Sequence, residues 1–255
     1  MLHIDLSGKI AVVTGGSGEL GRVLVRTLAR CGADVAIHYF QNEENARVLR
    51  EELTSLGVRG MTVQADVTQP ASVHAMREAI VQRLGRPHIL VNNAVIQYHP
   101  WTTVIAQPIE AYESQFRSSV VQNVLMAQAF VPEMIRNHYG RFIAISTECA
   151  MQNLPGQSAY VAGKRGMDGI LRVLAREIGP HQITVNQVAP GWTITDRVRG
   201  EGTQRQEVYE AAVPLKRRGE DQEIAHVVAF LASDLASYIT GAYIPVCGGN
   251  VMPAI

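Results

Sequence analysis

The feature that most constrains this chain is a regular exchange of two residue patterns. Short, β-branched apolar runs read as strands: "KIAVVTG", "DVAIHY", "GMTVQADV", "HILVNNA", "GRFIAIST", "QITVNQVAP" and "GAYIPV". Between them lie helical stretches at residues 17–30, from "NEENARVLREEL", in "ASVHAMREAIVQRLG", over residues 109–137 with a break inside, and in "SAYVAGKRGMDGILRVLAREIG" and "DQEIAHVVAFLAS". The runs lack the alternation of a half-exposed strand, so both their faces are buried, as in a parallel sheet. Parallel neighbours need a crossover, and helical crossovers cover both sides. The pattern predicts an α/β protein, a doubly wound parallel sheet with helices on both faces.

Composition narrows what such a sheet can do. With 255 residues and 47% hydrophobic content, one domain over residues 1–255 can bury a large core. We read no internal repeat and no low-complexity linker. Residues 195–212 ("TDRVRGEGTQRQEVYEAA") are polar and interrupt the alternation, which predicts a mobile flap over a substrate. Lys+Arg and Asp+Glu both number 23, so no net field favours nucleic acid or an anionic membrane. Cys31, Cys149 and Cys247 are far apart without a CxxC, and the histidines lack ligand spacing; neither a disulfide framework nor a metal site is expected. No signal segment or spanning apolar run is read, so the expected location is the cytoplasm.

In doubly wound sheets, ligands bind at the carboxyl ends of the strands. The first strand runs into "TGGSGELG", where Gly15 permits a tight turn and Ser17 or Gly18 can start a helix whose free N–H groups attract anions. Asp66 ends the third strand and "NNA" (Asn92 to Ala94) the fourth. In "YVAGK", Tyr160 and Lys164 are four apart and share a helix face. A free tyrosine titrates near ~10, and a neighbouring ammonium favours its phenolate. The pair can then exchange a proton with a carbonyl or alcohol oxygen.

As an ordered set, "TGGSGELG", "ADV", "NNA", "YVAGK", "TVNQVAPG" and "SYITG" followed by "GG" resembles the short-chain dehydrogenase/reductase family over nearly the whole chain. The nearest flavour is the ketoacyl-carrier-protein-reductase and glucose-dehydrogenase group. The resemblance implies a Rossmann fold, hydride exchange between NAD(P) and a carbonyl or alcohol carbon, and a small-molecule substrate. It assigns Tyr160 as acid/base, Lys164 to lowering its pKa and holding ribose hydroxyls, and Thr147 to orienting the substrate oxygen. Ser119 falls where the family's helix asparagine organises a proton-relay water. The implied cofactor contacts are Gly15, Ser17, Gly18, Glu19, Leu20, Gly21, Tyr39, Asp66, Val67, Asn92, Ala94, Tyr160, Lys164, Pro190, Gly191, Ile194 and Thr195.

Four positions depart from the family pattern. Glu19 replaces the middle glycine, where a carboxylate meets the pyrophosphate unless it turns away; the plainer reading is an acid favoured in a first helical turn. Val95 replaces the glycine after "NNA". Thr147, thirteen residues before Tyr160, stands for serine; Ser146 faces the other way on the strand. Asn123 lies one turn beyond Ser119 and reaches the site only if the helix is shifted. These departures motivate a second reading, a catalytically impaired binding or regulatory protein. Tyr98, His99, Trp101, Glu148 and Cys149 are expected near the substrate, and Trp192 beside the nicotinamide or in the core. At the second strand's end Tyr39 occupies the place of a ribose-binding acid, which leans toward NADP over NAD, although no arginine follows. Pairing through the Tyr160 helix and burial of the apolar C-terminus predict a homotetramer.

Overall fold

The computed structural model describes residues 3–95, 100–200 and 206–253. The elements run β1 (Ile10–Val13), α1 (Glu19–Arg30), β2 (Asp34–Tyr39), α2 (Glu43–Ser55), β3 (Gly60–Gln64), α3 (Pro70–Arg83), β4 (Ile89–Asn92), α4 (Ile109–Phe116), α5 (Gln122–Arg136), β5 (Gly140–Ile145), α6 (Cys149–Gln152), α7 (Ser158–Ile178), β6 (Ile183–Pro190), β7 (Thr193–Ile194), α8 (Asp196–Gly200), α9 (Glu207–Ala212), β8 (Gly219–Glu220), α10 (Asp221–Ala232) and β9 (Tyr243–Val246). Seven strands form one parallel sheet in the order β3-β2-β1-β4-β5-β6-β9. The order reverses between β1 and β4, the switch point at which a crevice opens beyond the strand ends. No described helix is long and apolar enough to cross a membrane.

The expected absence of alternation has a direct structural cause. Ala11 and Val13 pack on one face with Leu24, Leu28, Leu49, Ile224 and Val228. Ile10 and Val12 pack on the other with Met76, Ile80, Met126, Phe130 and Leu171. Both faces are covered, so every position of β1 is buried. Burial of a side chain of this size contributes about 1.5–3 kcal/mol. Local signals set the ends: Pro70 opens α3 with its φ already helical, and a reciprocal Glu220–Glu223 capping box starts α10.

Two local expectations change. The first crossover helix begins at Glu19, with Gly18 as its N-cap, rather than at residue 17. The expected break in residues 109–137 is a single π turn, Arg117–Val121, joining α4 to α5. The chain stays helical there because a π turn absorbs one extra residue without ending the helix. The flap region is built from α8 and α9; residues 201–205 lie outside the described residues.

Candidate active site

The nucleotide turn is held by residues from three strands. Gly15 has a φ of +62°, which a side chain would strain. A Cβ at Gly21 would sit 2.0 Å from the Gly15 carbonyl oxygen, so the first turn of α1 closes onto the loop only with glycine there. The Gly15 N–H donates to His38 Nδ1 at 2.9 Å, and His38 Nε2 lies 3.0 Å from the Ala65 carbonyl, to which it donates. Burial lowers the His38 pKa, so the ring is neutral and can accept from Gly15. Asn93 Nδ2 donates to the Thr14 and Gly15 carbonyls at 3.0 and 3.2 Å. The Thr14 hydroxyl accepts from the N–H groups of Asn93 and Ala94.

Glu19 is turned toward the flap. One carboxylate oxygen pairs with Arg22 at 3.2 Å, and the other accepts the Arg197 backbone N–H at 3.0 Å. Arg22 also lies 3.9 Å from Asp196, and Arg199 joins Asp196 to Glu220 and Asp221. Ser17 is buried, while Gly18 and Leu20 are half-buried around the loop. Glu19 and Leu20 open α1, whose first N–H groups have no intrahelical acceptor and face incoming anions.

Other strand ends are presented unequally. Tyr39 is buried in the core, leaving Phe40 as the exposed side chain beyond β2. Asp66 accepts from Thr68 through one oxygen, and Val67 is buried. Asn92 differs most from expectation: its side chain is 2% exposed and donates to Asn123 Oδ1 at 2.8 Å. Its neighbour Asn93 holds the nucleotide turn instead, because adjacent strand residues face opposite ways. The Ala94 carbonyl accepts from Gln122 Nε2.

Tyr160 and Lys164 project from α7 as the four-residue spacing requires, with Lys164 Nζ 6.0 Å from the phenol ring centroid. Lys164 Nζ donates to the Ile145 carbonyl at 2.7 Å. Burial brings its pKa down to about 8. Thr147 Oγ1 accepts from the Cys149 N–H at 3.2 Å, which fixes the hydroxyl at the end of β5. Ser119 lies in the π turn against α7: a Cβ at Gly163 would be 3.2 Å from Ser119 Oγ. Asn123 is buried beside it and donates to the Ser119 carbonyl at 2.7 Å. Trp101 is exposed and packs near Gly156, and a cavity of about 20 Å³ runs beneath it to Gln115, Gln157 and Tyr160. Tyr98 and His99 lie outside the described residues.

The opposite wall is built from Pro190 to Thr195. Gly191 has no room for a side chain, since a Cβ would sit 2.7 Å from the Tyr209 hydroxyl. That hydroxyl accepts from the Trp192 N–H and donates to Glu148 Oε1, both at 2.8 Å. Asn250 Nδ2 donates to Glu148 Oε2 at 3.0 Å. Burial pushes the Glu148 carboxyl above its usual range, and burial first, then the carboxylate, does the same to Tyr209. Glu148 therefore anchors α9 and the C-terminal segment. Trp192 packs against Tyr209 and Arg218 at the surface, not in the core. Ile194 pairs with Glu220 between β7 and β8, and the Thr195 carbonyl accepts the Arg199 N–H.

Thr14, His38, Asn93, Tyr209 and Asn250 are the site-building residues that sequence reasoning missed. Thr14 and Asn93 stand inside the motifs "TGG" and "NNA" and were within reach; a buried histidine in a strand and a tyrosine in a polar flap carry no local signal. Among the described residues, no three His, Cys, Asp or Glu side chains are placed to hold a metal ion.

The turn fits a dinucleotide: glycines stand where a Cβ would close it, and a helix N-terminus faces the crevice. A family model described as enoyl-(acyl carrier protein) reductase matches residues 17–250. The 3-oxoacyl-acyl-carrier-protein reductase FabG of Pseudomonas aeruginosa is 37% identical over 249 residues, covering 98% of this chain and 100% of that protein. A blue fluorescent protein from a metagenomic library, solved in complex with NADPH, superposes with a TM-score of 0.88 at 35% identity, covering 97% of this chain and 100% of that one. A 7α-hydroxysteroid dehydrogenase complexed with NADH and 7-oxo glycochenodeoxycholic acid does so with a TM-score of 0.88 at 27% identity, covering 98% and 97%. The glycine turn, the Tyr160–Lys164 pair and these full-length likenesses together establish that the chain belongs to the short-chain dehydrogenase/reductase family, NAD(P)-dependent oxidoreductases acting on a carbonyl or alcohol carbon.

Proposed function

We propose that Tyr160 is the proton donor and acceptor of this oxidoreductase, with Lys164 and Thr147 as its partners. The observation that carries this reading is the Lys164 ammonium, buried against the Ile145 carbonyl 6.0 Å from the Tyr160 ring. A buried cation is costly unless a negative charge forms beside it. A phenolate on Tyr160 is that charge, so Lys164 favours ionisation of the phenol. Tyr160 gives a proton to the substrate oxygen during carbonyl reduction and takes one during alcohol oxidation. Thr147 donates a hydrogen bond to the same oxygen, and its bond from the Cys149 N–H leaves the hydroxyl hydrogen free to turn outward. The nucleotide, when bound, supplies or accepts the hydride.

Residues 15–21 hold the phosphates, Asp66 accepts from the adenine side, and Pro190 to Thr195 border the nicotinamide. NADP is preferred over NAD, because Tyr39 and Phe40 stand where an acid would select the unphosphorylated ribose. The protein works in the cytoplasm as a homotetramer. Phe116 on α4, Val124 on α5 and Val173 on α7 are exposed apolar side chains, and the edge strand β9 is half-exposed. Both surfaces suit a second copy. The test is reduction of a ketone panel with NADPH and NADH: Tyr160→Phe should abolish turnover while nucleotide affinity stays near wild type, and wild-type turnover in that variant would sink the assignment. A 27.9 kDa particle by light scattering would sink the oligomer.

A further inference from the structure

The π turn opens the helix that packs on the Tyr160 helix, and its carbonyls are collected by side chains. Ser118 Oγ donates to the Gln115 carbonyl, Gln122 Nε2 to Ser118, and Asn123 Nδ2 to Ser119. Of these donors, Asn123 also reaches the sheet. Its Oδ1 accepts from Asn92 at the carboxyl end of β4, and its Nδ2 holds the Ser119 carbonyl at 2.7 Å. Asn123 is 1% exposed and Ser119 is fully buried. Both ends of this bridge continue into the site. Asn92 adjoins Asn93, which grips the nucleotide turn through the Thr14 and Gly15 carbonyls. Ser119 abuts Gly163, the residue before Lys164, and a Cβ there would strike the last turn of α4 at the Gln115 carbonyl, 2.7 Å away. The path from nucleotide turn to acid/base helix therefore passes through two buried amides: Gln122, which joins the Ser118 and Ala94 carbonyls beside Thr14, and Asn123, which alone of the two bonds a side chain of β4.

We propose that Asn123 is a positioning residue of the reaction: by pinning the π turn to Asn92 it keeps Tyr160 and Lys164 in register with the nucleotide turn. This rests on the catalytic assignment of Tyr160 and Lys164 above. Asn92 Oδ1 and Ser119 Oγ flank the bridge as buried atoms without a protein partner. Buried polar atoms of this kind hold ordered water.

The test replaces Asn123 with leucine, close in size and without hydrogen bonds, and separately makes Asn92→Leu, which breaks the same bridge from the strand. Three quantities are read: kcat and KM for a ketone, nucleotide affinity by calorimetry without substrate, and the titration of Tyr160. The last is the ultraviolet phenolate signal of each protein minus its Tyr160→Phe counterpart. Expected are a fall in kcat of about tenfold or more with KM little changed and an upward move of the Tyr160 titration by about one unit. Nucleotide affinity should stay within about threefold. Double substitution should lose no more than either single one, since both break one bridge. If Asn123→Leu does not fold, Asn92→Leu carries the test, and failure of both to fold overturns the proposal in favour of a purely structural role. Wild-type kcat and an unmoved Tyr160 titration in a folded variant also overturn it. An inactive wild type would instead defeat the catalytic assignment, while the Tyr160 titration, read without substrate, still decides the role of Asn123.

Discussion

Glu19 offers the sharpest test of how the nucleotide turn and the flap are joined. Its carboxylate makes two contacts, to Arg22 at 3.2 Å and to the Arg197 N–H at 3.0 Å. The side chain is 41% exposed, so solvent screens the ion pair and leaves it about 0.2–1 kcal/mol. An acid accepting an N–H at the start of a helix contributes about 0.5–2 kcal/mol. Together the contacts favour a docked flap by about 1–2 kcal/mol, a factor of roughly five to thirty. Glu19→Gly removes both contacts, whereas Glu19→Gln removes the charge and keeps an acceptor for Arg197. The assay is hydrogen exchange of the Arg197 amide by NMR, with nucleotide titrated by calorimetry. Exchange should accelerate roughly five- to thirtyfold in Glu19→Gly, and far less in Glu19→Gln. Nucleotide should leave Glu19→Gly faster than it leaves Glu19→Gln. Unchanged Arg197 exchange in Glu19→Gly would refute the flap contact. Equal tightening of nucleotide binding in both variants would show that the charge acts on the phosphates instead.

Three further outcomes follow from the same geometry. Gly21→Ala places a methyl 2.0 Å from the Gly15 carbonyl oxygen; calorimetry should find nucleotide binding lost, with a stability loss of about 1–3 kcal/mol by denaturant titration. Thr147→Ser should leave turnover unchanged or raised, whereas Thr147→Val, which keeps shape but loses the hydroxyl, should lower kcat by about a hundredfold. Lys164 has a folded-state pKa of about 8 against 10.5 when free. Between these values the unfolded chain binds more protons, so stability rises with pH in that window, and the penalty of burying the charge is fully present below it. The stability advantage of Lys164→Met over wild type in nucleotide-free protein, followed by thermal melts, should therefore be largest below pH 8 and shrink toward pH 10.5.

The sheet, its parallel sense and the places of Tyr160, Lys164, Thr147 and Gly21 were legible in the sequence alone. The sheet and the shared face of Tyr160 and Lys164 depend on short-range periodicity: a run without alternation is buried on both faces, and a four-residue step stays on one helix face; Thr147 and Gly21 were read from the resemblance to the family's motifs. Asn92 and Asn93 show where that reach ends. The motif marks a strand end, but which of two adjacent amides meets the nucleotide turn depends on the neighbour behind each, Asn123 for one and Thr14 with Gly15 for the other. Asn123 itself is one turn away from the expected position, and its amide bonds both the Ser119 carbonyl within the π turn and Asn92 on β4, a partner that no local spacing announces. Glu19 is the clearest case. Its sequence context admits either a clash with phosphate or a favourable place in a first helical turn. The choice is made by Arg197, 178 positions away, whose N–H arrives only when the sheet has folded and carried the flap across the turn. Long-range partners of this kind follow from packing, which no local pattern of residues encodes.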